Sequence, residues 1–347
     1  MDADFASQCP APWASSDTVT LAHGGGGSLG QRLLDRLFRP HFSNPVLATA
    51  HDASVLPNPA AAIAVSTDSF VVRPLEFPGG DIGHLAICGT VNDLLMAGAR
   101  PRWLSAAFIL EEGLPMTTLA RVVASMARTA RRAGVEIVTG DTKVVDRGHG
   151  DGIYINTTGI GVLTSQAPIA PSSVQPGDAI LLSGDLGRHG VAILSVREGL
   201  KFESTIESDC DLLLEPVEAL LRAGLDIHCL RDLTRGGLGA ALHEIAATRQ
   251  VSIDIDSEAV PVCEAVRGAC EVLGLDPLHV ANEGRFVLFL PATQAGEALR
   301  ILRQFRAEAS RIGSVRPLAT VPVSLRNAYG TTRVLPYLSG EQLPRIC

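Results

Sequence analysis

Hydrophobic and polar positions along this chain change period several times, and each change marks an element. Ile63-Ala-Val-Ser-Thr is a short apolar run that reads as a buried strand stopping at Asp68. A Gly-Gly-Asp-Ile-Gly stretch at 79–83 opens a helical segment through Val91, Leu94 and Leu95, and Leu104-Ser-Ala-Ala-Phe-Ile-Leu is a second strand. Over 117–133, Leu119, Val122, Val123, Met126 and Ala130 share one face while Arg121, Arg128 and Arg132 lie elsewhere. This predicts an amphipathic helix, closed by Gly134. Val135-Glu-Ile-Val follows as a strand that delivers Thr139-Gly-Asp-Thr-Lys to its end, and 153–162 is a further strand.

Pro168, Pro171, Pro176 and Gly177 mark a boundary at 165–177. Beyond it the pattern predicts a strand at 179–182, helices at 190–198 and 212–223, a helix opened by Gly236-Gly237, a strand at 285–290 and a helix near 294–308. Both halves mix strands and helices without strict alternation and without a short repeat. The expectation is an α/β chain of two α+β domains.

Composition narrows the function. A formal charge of −8 and 4% aromatic residues argue against nucleic-acid binding, which needs a basic footprint or stacking platforms. No apolar run is long enough to span a bilayer. The first eighteen residues are rich in Ala, Pro and Ser, with no Lys or Arg before Arg32, so they match no secretory signal; a disordered extension and a cytoplasmic location are expected. Seven scattered cysteines (9, 88, 210, 229, 263, 270, 347) form neither a disulfide framework nor a zinc-finger spacing, and most read as small core residues.

The candidate chemistry is carboxylate-rich. Asp52, Asp68, Asp93, Asp141 and Asp232 fall at strand ends or in glycine-rich turns; each alone is an ordinary cap or turn former, but hard oxygens from several loops are how proteins hold Mg²⁺ beside phosphates. His23-Gly-Gly-Gly-Gly-Ser can wrap a phosphate with backbone N–H groups, although it lacks the Gly-Lys-Ser/Thr of a P-loop. Lys143, two residues after Asp141, is either a surface ion-pair partner or a group that neutralises phosphate charge. Glu283, before an apolar strand, is a turn cap or a proton acceptor. His84, His189 and His279 lack metal-ligand spacing and receive no role. Cys347 ends a segment containing Gly340 and Pro344, which suits a short mobile arm carrying a thiol.

Several motifs then fall into one order: Ala22-His-Gly-Gly-Gly-Gly, Thr67-Asp-Ser-Phe-Val-Val, Phe77-Pro-Gly-Gly-Asp-Ile-Gly, Gly89-Thr-Val-Asn-Asp-Leu, Gly140-Asp-Thr-Lys-Val-Val, Arg231-Asp-Leu-Thr-Arg-Gly-Gly-Leu, Ala281-Asn-Glu-Gly and Pro344-Arg-Ile-Cys. In that order the chain resembles the HypE family of nickel–iron hydrogenase maturation factors, within the aminoimidazole ribonucleotide synthetase-like superfamily, over about 19–347. Two departures are Gly25 for the family's Ser and Leu233 for its Pro.

The resemblance implies a homodimer whose N-terminal domains (19–165) join into a β-barrel and bind ATP, a C-terminal α/β domain (176–330), and a mobile tail (331–347). It implies that a HypF-like carbamoyltransferase loads a carbamoyl group onto Cys347. ATP-dependent dehydration then makes a thiocyanate, and its cyanide passes to iron held by a HypC–HypD-like complex. It places Asp52, Asp68, Asn92, Asp93, Asp141, Thr142 and Asp232 around ATP, with Asp68, Asp93, Asp141 and Asp232 holding Mg²⁺. Lys143, Glu283 and His23 join Cys347 as catalytic candidates. Two other readings stay open: a related enzyme phosphorylating a free carboxamide or selenide, and a nucleotide-binding scaffold offering its tail as a docking peptide.

Overall fold

The computed structural model describes residues 27–28, 31, 35, 54–56, 62–165, 167–200, 206–340, 343 and 345–347. His23, Asp52 and the extension 1–18 lie outside them, as does the side chain of Thr142. The N-terminal half runs β1 (Ser54–Leu56), β2 (Ile63–Phe70), β3 (Glu76–Phe77), β4 (Gly80–Asp81), α1 (Ile82–Met96), β5 (Ala99–Glu111), α2 (Met116–Ala133), β6 (Glu136–Val145) and β7 (Ile153–Leu163). Five of these strands form one sheet in the order β1-β2-β7-β5-β6. Among the described residues the sheet is open, with β1 and β6 as its edges.

Alternation along the strands assigns its faces. Ala64, Ser66 and Phe70, with Ile155, Thr157, Leu104 and Ala106, are buried on the face that meets α1. Thr67, Ser69, Trp103 and Ile109 turn to the other face and are exposed. Helix α1 is apolar and buried on nearly every side, because it also packs against α2 and against the second domain. Asp81 starts it by accepting the N–H groups of Gly83 (2.7 Å) and His84 (3.0 Å).

Helix α2 closes at Gly134 with φ 66°, the left-handed cap expected from the sequence. Its buried stripe is Val122, Met126, Ala130 and Ala133; Val123, one residue further round, is exposed. Strands β2 and β6 outrun their expected limits. β2 continues to Phe70, so Asp68 lies inside a strand, and β6 passes through Gly140-Asp141 to Val145 because every residue from Thr139 on pairs with β5. A Cβ at Gly140 would fall 2.0 Å from the Ala106 carbonyl oxygen, so glycine there serves close strand approach rather than a turn.

The C-terminal half contains β8 (Asp178–Leu182), α3 (Arg188–Arg197), α4 (Leu214–Arg222), β9 (Cys229–Asp232), α5 (Gly237–Arg249), β10 (Val251–Asp256), α6 (Glu264–Leu273), β11 (Phe286–Pro291), α7 (Ala295–Leu302), β12 (Ser310–Pro317), β13 (Val323–Arg326) and β14 (Thr332–Val334). Its seven-stranded sheet has the order β14-β13-β10-β12-β8-β11-β9. Ile180, Leu182, Val287 and Phe289 share one core with α5, while Leu181, Phe286, Leu288 and Leu290 share the other with α4 and α7. Central strands β8 and β11 are therefore apolar without alternation. Residues 332–334, expected in the tail, form β14, and Leu335 after it is fully buried.

Candidate active site

The two domains meet along α1, β9 and the loops at 206–213 and 281–285, and the carboxylates gather there. Asp68 comes from β2, Asp93 from α1, Asp232 from the end of β9 and Glu283 from the loop before β11. Asp93 accepts a hydrogen bond from Ser66 and shares one with Asp232. Burial raises the pKa of Asp68, with Arg235 opposing; Asp232 is pushed up to about 6 by burial, with Arg231 opposing and Asp68 adding to the rise. Glu283 goes well above the carboxylate range through burial and through Asp232, Asp209 and Asp68. Its Oε1 is buried with no hydrogen-bond partner among the described residues.

Such a cluster is unfavourable by itself and favourable around a cation. Its hard oxygen donors and the orphaned Oε1 fit Mg²⁺, with Asp68, Asp93 and Asp232 as the residues that would hold it. The linkage has a definite sign. Asp232 is raised from 3.8 to about 6, so its contribution to stability is complete below pH 4 and is lost as pH rises through 6. Asp232→Asn is therefore expected to raise the melting temperature of the ligand-free protein at pH 7 and to have a smaller effect at pH 4. It should also abolish stabilisation by Mg²⁺ with ATP. Thermal melts at both pH values check this; a lowered Tm at pH 7 would contradict it.

The loops that frame the cluster are tied by backbone bonds. Asp209 accepts N–H groups from His189 and Gly284, each at 3.0 Å. A Cβ at Gly284 would sit 2.0 Å from the Asp209 carbonyl oxygen, so only glycine lets these loops touch. Leu233, where the family has proline, donates its N–H to the Arg285 carbonyl (3.1 Å), a bond proline cannot make.

Three expectations change. Asn92 has a structural role: its amide donates to the Asp211 carbonyl (3.0 Å) and accepts from Leu213 N–H (2.9 Å), stitching α1 to the second domain. Asp141 and Lys143 are exposed on edge strand β6 and pair with each other at 2.9 Å. Three strand spacings separate β6 from β2, roughly 14 Å at about 4.8 Å each. One chain therefore does not bring them to Asp68.

The terminal segment is docked against this region. Its backbone runs beside 71–73: Val71 N–H donates to the Cys347 carbonyl (3.1 Å) and Arg73 N–H to that of Arg345 (3.2 Å). Arg197 donates to the Arg345 carbonyl (2.6 Å), and Arg345 pairs with Asp151 (2.5 Å). Leu343 and Ile346 are buried and Cys347 is half-buried. His189, given no role from the sequence, donates Nε2–H to the Ile346 carbonyl (2.6 Å) while Nδ1 takes the Ser208 hydroxyl bond (2.7 Å). Burial lowers its pKa, which keeps the ring neutral for that pairing. No sequence signal marked it, because the bond is to backbone. Partly exposed pairs are weak, so Arg197→Ala with Asp151→Ala is expected to speed alkylation of Cys347 by about three- to tenfold, read by mass spectrometry; an unchanged rate would mean that these contacts do not hold the tail.

The family model for the AIR synthase related protein N-terminal domain matches residues 50–163, and that for the C-terminal domain matches 175–321. A protein of Azotobacter vinelandii named carbamoyl dehydratase HypE is 50% identical over 333 residues, covering 95% of this chain and 97% of that one. A crystal structure of hydrogenase maturation protein HypE in complex with ATP superposes with TM-score 0.80 at 50% identity, covering 95% of this chain and 100% of that one. A HypE–HypF complex gives TM-score 0.84 at 44% identity over 88% of this chain and 99% of that one.

Proposed function

The chain belongs to the HypE family of carbamoyl dehydratases, and on that premise we propose how its residues turn a carbamoyl group on Cys347 into a thiocyanate. The observation that carries the reading is the docking of Cys347 against the domain that also supplies Asp68 and Asp93, beside the cleft that holds Glu283.

The substrate is a thiocarboxamide, Cys347 S–C(=O)–NH₂. Its oxygen attacks the γ-phosphorus of ATP; the O–P bond forms, the bridge to the β-phosphate breaks, and ADP leaves. Two nitrogen protons then depart, the C–O bond breaks with phosphate as leaving group, and S–C≡N remains. An amide oxygen is a weak nucleophile, so positioning and charge neutralisation supply most of the rate. The backbone bonds from Val71 and Arg73 and the His189 bond to Ile346 would set the direction of the Cys347 side chain. Mg²⁺, when bound by Asp68, Asp93 and Asp232, supplies charge neutralisation on the phosphates. Glu283 is the proton acceptor in its ionised form: burial raises its pKa, so that carboxylate takes a proton more strongly than an exposed glutamate does.

The remaining candidates need a second copy. Among the described residues β6 pairs only with β5, Val138 and Val144 on it are 57% and 66% exposed, and Trp103 and Ile109 lie exposed on the sheet's open face. Such an edge and face favour pairing into a two-chain barrel, and a homodimer would bring Asp141, Thr142 and Lys143 to a shared nucleotide cleft. Carbamoyl loading by a HypF-like partner requires the tail to leave its dock, and delivery to a HypC–HypD-like iron carrier requires it again. Among the described residues no helix is long and apolar enough to cross a membrane, and the described cysteines are free thiols; we place the reaction in the cytoplasm.

Counting ADP tests the reading. One ADP per carbamoyl group, formed only by carbamoylated protein, is expected. ADP formed by unmodified protein from a free carboxamide or selenide, or partner binding without ADP, would overturn it.

A further inference from the structure

His84, Cys88 and Cys210 form a cluster that the dehydration does not use. One ring nitrogen and the two Sγ atoms all lie within 4.8 Å of one another, and both thiols are buried. His84 and Cys88 are one turn apart on α1, and Cys210 comes from the loop of the second domain between Asp209 and Asp211.

Hydrogen bonding fixes the charge of the ring. His84 Nε2 lies 3.0 Å from the Cys210 carbonyl oxygen, which can only accept, so Nε2 carries a proton. Nδ1 lies 2.9 Å from Thr129 Oγ1, which is also 3.0 Å from the Ser125 carbonyl; with the hydroxyl proton on that carbonyl, Nδ1 donates too. In that arrangement both nitrogens are protonated and the ring is an imidazolium, the form that its raised pKa favours. Cys88 Sγ sits 3.7 and 3.8 Å from the two nitrogens, the place for its counter-charge. Burial opposes both charges, yet the bonds and charges between them leave His84 at about 9 and Cys88 at about 7. The other charges facing the pair are Asp211, held by Arg132 at 2.8 Å, and Glu283. In that arrangement the ring offers no lone pair to a metal, and the cluster is a thiolate with a thiol beside it.

We propose that Cys88 and Cys210 are a redox-active dithiol, with Cys88 as the thiolate, His84 as its counter-ion and Cys210 as the thiol that closes a disulfide between the two domains. The oxidant is hydrogen peroxide. The Cys88 thiolate attacks one peroxide oxygen, the O–O bond breaks, and with one proton from solvent the products are a sulfenic acid and water. The Cys210 thiol, giving up its proton, attacks that sulfur; the S–O bond breaks and a second water leaves. Sulfur is oxidised and peroxide reduced by two electrons. The bond would tie α1, which carries Asn92 and Asp93, to the loop that carries Asp209. Because both thiols are buried, a small oxidant must enter through local opening.

The test treats the reduced full chain with hydrogen peroxide, blocks remaining thiols after denaturation and maps the peptides. A Cys88–Cys210 cross-linked peptide is expected while Cys229 and Cys270 remain alkylated. In Cys210→Ser, Cys88 should stop at the sulfenic acid, captured by dimedone. His84→Gln should slow the disulfide by about tenfold or more, because one pKa unit changes the thiolate fraction tenfold. Cys88 and Cys210 that remain fully alkylated after Cys263 and Cys347 have oxidised would overturn the proposal. So would one tightly held Co²⁺ per chain with thiolate charge-transfer absorption, which would make the cluster a metal site.

Discussion

Replacing Glu283 with glutamine is expected to leave the carbamoyl group on Cys347 in place and to slow its dehydration by about 10²–10⁴-fold, the usual contribution of a general base. Glutamine keeps the shape and the buried volume but cannot take a proton. The neighbours argue for a chemical rather than a structural loss. The Glu283 carboxyl is buried among Asp68, Asp209 and Asp232, and its Oε1 has no partner, so the variant removes repulsion and breaks no bond to that atom. Glu283→Gln should therefore melt at or above the wild-type temperature while losing activity, the trade-off expected at a site held against its own stability. Quenched single-turnover mass spectra of the Cys347 peptide give the rate. Normal dehydration in this variant would remove Glu283 from the mechanism.

Cys347→Ala should be absolute in effect on product and nearly silent in effect on fold. The side chain is half-buried at the end of the chain, and the bonds that dock the segment use the backbone of 345–347 and the Arg345 side chain, all of which remain. ATP binding, measured by thermal shift or calorimetry, should stay within about twofold of wild type, because the nucleotide contacts proposed above lie elsewhere. No carbamoyl group should be accepted and no ADP formed in excess of background. An alanine variant that still forms ADP in the presence of a free amide would show that the thiol is dispensable and the substrate diffusible.

Much of this arrangement was legible in the chain itself. Asp68, Asp93, Asp232 and Glu283 stand out in the sequence, and the fold brings them together at the boundary between the two domains. The helix at 116–133 and its Gly134 cap followed from 3.6-residue periodicity and a residue that tolerates positive φ. What failed was local turn reasoning against strand pairing. Gly140-Asp141 carries a turn signature, yet a continuous ladder with β5 holds it extended, which keeps Asp141 and Lys143 away from the other carboxylates in one chain. Asn92 bonds backbone groups of the second domain, which the sequence does not reveal because an amide in a motif looks the same whether it meets a nucleotide or a backbone carbonyl. His189 and the His84–Cys88–Cys210 cluster escaped because their partners lie far away in sequence: His189 holds a carbonyl 157 residues on, and Cys210 is 122 positions beyond Cys88 (210 less 88). The tail illustrates the same limit. Glycine and proline content suggested mobility, but the buried Leu343 and Ile346 and four hydrogen bonds to the backbone carbonyls of Arg345, Ile346 and Cys347 give it a definite dock.

The central claim is that Cys347 is the handle on which the nitrile is built, and one measurement addresses it directly. Protein incubated with a HypF-like carbamoyltransferase, carbamoyl phosphate and ATP is digested, and the peptide ending in Cys347 is weighed over time. The expected series is the free thiol, then the carbamoyl adduct, then the adduct less one water, the last step appearing with ATP and not with a non-hydrolysable analogue. A Cys347 peptide that is never modified, or an adduct that keeps its water while ATP is consumed, would contradict the account.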